Sequence, residues 1–151
     1  MSIWVRACAD RDGREDEGTA QTARTKFDHG VSWLVAESSS GLGGFVLCTR
    51  PGSELPTDPQ DAPVVSMLAV APGHQGLGVG RGLLQHALTD LASLGHSHAV
   101  LHVFADNAGA IRLYESTGWQ RIGDEVMIDP LGKRPSWTYR CRLDGDQEHR
   151  R

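Results

Sequence analysis

The chain has 151 residues, 39% apolar and 23% charged, with a formal net charge of −4. That is the size of one ordinary folded domain with a real core, and the composition excludes fibrous and disordered classes. The acidic balance argues against a nucleic-acid footprint and suits a cationic acceptor such as an amine.

Cys8, Cys48 and Cys141 are far apart in the chain. They have no metal-ligand spacing, and an odd count argues against a disulfide framework. A reducing, cytoplasmic setting fits. The N-terminal residues lack a secretory pattern, no apolar run is long enough to cross a bilayer, and neither metal nor membrane is expected.

In chain order, Ile3 to Ala9 reads as a first strand. Asp10 to Gly30 is polar, with Ala20, Ala23 and Phe27 as the inner stripe of one modest helix. VSWLVAE (31–37) and GFVLCT (44–49) flank a Ser/Gly turn and form a hairpin. Pro51 to Pro63 reads as an exposed loop carrying Glu54, Asp58 and Asp61, and Val64 to Val70 as a buried central strand. From Val79 a helix is predicted with Leu83, Leu84, Ala87, Leu88 and Leu91 on one face, stopped by Gly95. Ala99 to Phe104 is a strand and Ala108 to Ser116 a short helix. Two strands, Trp119 to Ile128 and Trp137 to Leu143, surround Asp129-Pro130-Leu131-Gly132, and a charged tail occupies 144–151. No repeat or second domain is visible, so residues 1–151 read as a single domain.

Between the central strand and its helix lies Gln75-Gly76-Leu77-Gly78-Val79-Gly80-Arg81. The first amides of a helix lack intrahelical acceptors and carry the positive end of the dipole, so a tight glycine turn there can cradle an anion. Gly76, Gly78 and Gly80 have no Cβ to obstruct the approach, and Arg81 can add a formal charge. A Walker loop is excluded because neither Gly80 nor Gly82 precedes a lysine. A dinucleotide fingerprint would need an acid roughly 20 residues on, and Asp106 lies 26 residues past Gly80. A bare tight turn with no ligand remains the alternative.

The block from Leu68 to Leu84 (LAVAPGHQGLGVGRGLL) resembles the cofactor-binding motif of the GNAT superfamily of acyl-CoA-dependent N-acetyltransferases, with Gln75, Gly78 and Gly80 in its places. LHVFADNAGAIRLYESTGW, from Leu101 to Trp119, resembles the superfamily's second block through Asn107, Tyr114, Glu115 and Gly118-Trp119. Both occur in order and at the usual separation.

This resemblance implies an α/β fold: a mixed, strongly twisted sheet of six to seven strands with three to four helices. The sheet would splay between the fourth and fifth strands, and the helical segment between strands 1 and 2 would be abbreviated. Acetyl-CoA would be the co-substrate. Leu68, Ala69 and Val70 would pair with its pantetheine amides, Gln75 to Arg81 (Gln75, Gly76, Leu77, Gly78, Val79, Gly80, Arg81) would hold its pyrophosphate, and Asn107 would anchor its lower part.

Tyr114 would protonate the leaving thiolate, and the Val70 amide would stabilise the oxyanion. Two residues compete as base, His102 on the fifth strand and Glu37 at the end of the second, beside a water relay. The implied acceptor is a primary amine on a small molecule, peptide or protein. A non-catalytic acyl-CoA sensor and a nucleotide-binding module are the rivals, and a homodimer is left open.

Overall fold

In the computed structural model, residues 26–38, 41–127 and 134–143 are described below. The predicted strand Ile3 to Ala9, most of the polar segment after it, the turn at 129–132 and the tail 144–151 lie outside those ranges. The described elements, in order, are β1 (Gly30–Ser38), β2 (Gly41–Thr49), β3 (Val64–Val70), α1 (Val79–Ser93), β4 (His98–Phe104), α2 (Ala108–Ser116), β5 (Gln120–Met127) and β6 (Pro135–Arg142). The sheet order is β1-β2-β3-β4-β6-β5. Neighbours run antiparallel except β3 and β4, which run parallel.

Helix α1 forms where the apolar residues recur with helical period. Leu83, Leu84, Ala87, Leu88 and Leu91 are all buried, packed with Val46, Cys48 and Val65 of the sheet. Each buried leucine contributes about 2 kcal/mol by transfer from water. The same face carries Leu101, Val103, Tyr114 and Tyr139. The opposite face carries Phe45, Leu47, Met67 and Ala69 in one cluster, and Ala62, Val64 and Val100 in another.

Two glycines in β2 allow a close approach to β3 and the turn that follows it. A Cβ on Gly44 would lie 2.6 Å from the Ala69 carbonyl oxygen, and one on Gly43 would lie 3.1 Å from the His74 ring. The Ala71 amide then donates to Gly43 O at 2.7 Å, fixing the chain as it leaves β3.

The parallel seam positions the site. Strand β4 pairs with β6 from His98↔Arg142 through Phe104↔Ser136, whereas β3 meets β4 in register only at Val64↔Val100. The Val100 amide donates to Pro63 O at 3.0 Å, and the two strands separate beyond it. The ends at Val70 and Phe104 thus face an opening across which the two strands share no further rung, so an extended ligand can lie along the strand edge there.

The segment between β2 and β3 departs from the expected exposed loop: Asp58, Ala62 and Pro63 are buried in it. Its breakers and acids read locally as solvent-facing, but the segment folds back over β4.

Candidate functional site

A short 3₁₀ turn, Pro72–His74, ends β3, and Gln75 returns its side chain to it: Nε2 donates to Val70 O at 3.3 Å. Gly76 and Gly78 then take positive φ, 79° and 81°, a left-handed conformation that strains any residue with a Cβ. Gly78 caps α1 without a side-chain hydrogen bond. The Gly82 amide is the one that reaches back to Gly78 O, at 3.0 Å, so the amides of Val79, Gly80 and Arg81 have no intrahelical acceptor. Gly76, Leu77 and Gly78 are exposed. Three amides without an intrahelical acceptor and the positive end of the helix dipole, at the end of an exposed turn, are an arrangement that can hold an anion.

That cradle sits against α2. A Cβ on Gly80 would lie 3.5 Å from Val70 Cγ2 and 3.9 Å from Leu113 Cδ2, which places the start of α1 between the end of β3 and α2. Arg81 Nη2 donates to Ser116 Oγ at 3.1 Å, tying the two helices together. Asn107 caps α2: its Oδ1 accepts from the Ala110 amide at 3.3 Å, and its Nδ2 makes no hydrogen bond among the described residues. The residue named for cofactor anchoring is therefore also the one that starts the helix carrying Tyr114.

Tyr114 is 9% exposed, with its ring 6.1 Å from that of Trp119 and 6.4 Å from that of Tyr139. Burial pushes its phenol up to about 12, so the hydroxyl keeps its proton at every ordinary pH. Tyr139, also in this cluster, donates to Glu115 Oε2 at 2.9 Å.

The two candidate bases are placed differently. Glu37 is exposed near the end of β1, paired with Leu42 just past an irregularity in the register. Two strands separate it from the seam. His102 lies on β4, two residues past the last shared rung, on the sheet face opposite Leu101 and Tyr114. Both of its ring nitrogens are engaged: Nε2 meets Asp58 Oδ2 at 3.0 Å, and Nδ1 meets Thr138 Oγ1 at 3.0 Å.

Sequence reasoning named Asp58 only as one acid of a solvated loop and passed over Thr138. No local signal marks either, because their contacts with His102 span 44 and 36 residues. The remaining candidates, Leu68, Ala69 and Val70, form the end of β3 bordering the opening. A cavity of about 550 Å³ lined by Phe27, Val31, Trp33 and Leu47 lies at the other end of the sheet, where Gly30 pairs with Thr49. Among the described residues no helix is long and apolar enough to cross a membrane, and no cluster of metal-ligating side chains occurs.

A family model described as the acetyltransferase (GNAT) family matches residues 2–119. A mycothiol acetyltransferase of Sanguibacter keddieii is 36% identical over 112 residues, 72% of this chain and 34% of that protein. One from Acidothermus cellulolyticus is 46% identical over 68 residues, 45% of this chain and 21% of the other. The chain thus spans about a third or less of these curated relatives. Among solved structures, a nourseothricin acetyltransferase superimposes with a TM-score of 0.63 at 26% identity, covering 74% of this chain and 65% of that one. An IAA acetyltransferase from Bacillus cereus shares the fold over 94% of this chain and 91% of its own, with a TM-score of 0.71 at 17% identity.

Proposed function

The chain belongs to the acetyltransferase (GNAT) family, and on that premise we propose that it moves the acetyl group of acetyl-CoA to a primary amine by direct attack on the thioester. One observation carries the reading. The exposed anion cradle at the start of α1 is packed through Gly80 and Arg81 against the helix that bears Tyr114, beside the opening between β3 and β4.

In this reading the amides of Val79, Gly80 and Arg81 take the pyrophosphate. The edge of β3 at Leu68, Ala69 and Val70, which β4 leaves past Val64↔Val100, pairs with the pantetheine amides as an added strand does. Asn107 offers Nδ2 to the lower part of the cofactor. The attacking nitrogen must be neutral, so an ammonium acceptor first loses one proton; the C–N bond forms and the C–S bond breaks, the nitrogen gives up a second proton as the amide forms, and the thiolate takes one up. The Val70 amide serves the carbonyl oxygen as negative charge develops on it.

Tyr114 serves the sulfur. Its phenol, pushed up to about 12, is a weaker acid than a thiol of about 8.5, so complete transfer is uphill by roughly 5 kcal/mol. Tyr114 therefore stabilises the departing thiolate by donating a hydrogen bond, and the sulfur is fully protonated only as the amine's proton becomes available.

The acceptor is a small-molecule or peptide amine. The relatives named mycothiol acetyltransferase and nourseothricin acetyltransferase favour a small molecule. The test is CoA release from acetyl-CoA over peptides, polyamines, aminoglycosides, nourseothricin and deacetylated mycothiol. Turnover above buffer hydrolysis with at least one amine is expected. Tight CoA binding with no turnover on any of them would replace this reading with an acyl-CoA sensor.

A further inference from the structure

Resting on the acetyl-transfer reading, we infer that Thr138, His102 and Asp58 form the relay that takes the proton from the acceptor amine, with Asp58 as the residue that positions His102 for it. The three come from three different segments: Asp58 from the stretch between β2 and β3, His102 from β4 and Thr138 from β6. The Asp58 and His102 side chains are 2% and 8% exposed.

The hydrogen-bond directions follow from donor chemistry. An ionised carboxylate only accepts, and Asp58 Oδ2 takes the Leu55 amide at 3.1 Å as well as the imidazole at 3.0 Å. Nε2 is therefore the protonated nitrogen. In the neutral ring Nδ1 then holds the lone pair and accepts from the Thr138 hydroxyl at 3.0 Å. In the cationic ring Nδ1–H donates to the same oxygen. The two states differ by one proton and one hydroxyl rotation, so proton uptake needs no heavy atom to move.

The step balances. The amine N–H bond breaks and its proton passes to Thr138 Oγ1, directly or through a water. The Thr138 O–H bond breaks as the N–H bond on His102 Nδ1 forms. The resulting imidazolium is buried, and the Asp58 carboxylate compensates it; among the described residues it is the charged group in contact with the ring.

Placement favours this role over a simple strap holding the loop. His102 lies just past Val100, the last rung shared with β3, so the relay borders the opening on one face while Tyr114 lies on the other. Ser136, one same-face position along β6 from Thr138 and opposite Phe104 at the open end, is 1% exposed, and its hydroxyl has no hydrogen-bond partner among the described residues. A buried orphan hydroxyl there suits an acceptor amine or the water that serves it.

The test takes the amine that the wild type acetylates fastest and compares Asp58→Asn, Thr138→Ser, Thr138→Val, and His102→Ala with and without added imidazole. CoA affinity and melting temperature are measured for each. In Asp58→Asn, kcat should fall by about 100-fold, within the range of general-base catalysis, with KM for acetyl-CoA changed by no more than about two-fold. Thr138→Ser should stay near wild type while Thr138→Val falls like Asp58→Asn, and imidazole should restore part of the His102→Ala loss. The Thr138 pair leaves the Asp58–His102 contact intact, so it decides the matter if Asp58→Asn fails to fold. Wild-type turnover with kcat unchanged in Asp58→Asn or Thr138→Val overturns the relay alone, as does loss of CoA affinity and melting temperature in step with turnover. A wild type that acetylates no amine overturns the acetyl-transfer reading and the relay with it.

Discussion

Replacing Tyr114 with Phe removes one hydroxyl from a buried ring and little else. The phenol makes no hydrogen bond to another described residue, so the folded state loses no internal partner and the melting temperature should move by no more than a few degrees. The kinetic effect should be much larger. Burial pushes the phenol up to about 12, so at pH 8 only about one molecule in 10⁴ lacks the donor proton. Its loss should lower kcat by about 100-fold, equivalent to about 3 kcal/mol of transition-state stabilisation. KM for acetyl-CoA should change little, because the hydrogen bond strengthens only as charge develops on sulfur. Steady-state CoA release from pH 6 to 10 checks both points. The sign of the pH dependence follows from the raised value: ionisation of Tyr114 cannot cause a loss of rate on the alkaline side below about pH 11. A Tyr114→Phe enzyme within about two-fold of wild-type kcat would refute the reasoning. So would a basic limb near pH 9 that disappears in the variant.

Three further outcomes follow from the geometry. Gly44→Ala places a Cβ 2.6 Å from Ala69 O, so urea unfolding should show a loss of about 1–3 kcal/mol, the usual cost of overpacking. Asn107→Ala should cost about 1 kcal/mol through the lost helix cap, whereas Asn107→Asp should keep the cap yet weaken CoA binding, which calorimetry separates from stability. Burial raises Cys48 from 9.0 to about 12, with Asp90 adding to it, and Tyr114 from 10.0 to about 12. The folded state therefore favours both neutral forms. This stabilisation is complete below about pH 9 and is lost as pH rises toward 12, amounting to several kcal/mol, comparable to the whole margin of a domain. Circular dichroism should show cooperative alkaline unfolding in that window, with a higher midpoint in Cys48→Ala.

Much of this protein is written locally. A left-handed glycine, an uncapped helix start, an Asn cap and a stripe at helical spacing are each specified within one or two turns of chain. The glycine turn, both helices and the β1–β2 hairpin accordingly stand where the residue pattern puts them. The resemblance of two blocks to one family added what no periodicity shows, the nature of the ligand.

The rest depends on what the chain brings together at long range. Nothing near Asp58 distinguishes it from Glu54 or Asp61, yet it alone of the three is buried, because its segment folds over β4 and meets His102 there. The pattern of Val64 to Val70 marks a buried strand, but whether its partner leaves it after one rung is decided by the twist of the assembled sheet. The proton affinity of Tyr114 is likewise absent from its neighbours in sequence. Motif position names the phenol, but only the packing of Trp119 and Tyr139 around it removes the water that would stabilise its anion. Short-range hydrogen bonding thus determined the cradle, and long-range desolvation decided the groups that would act beside it.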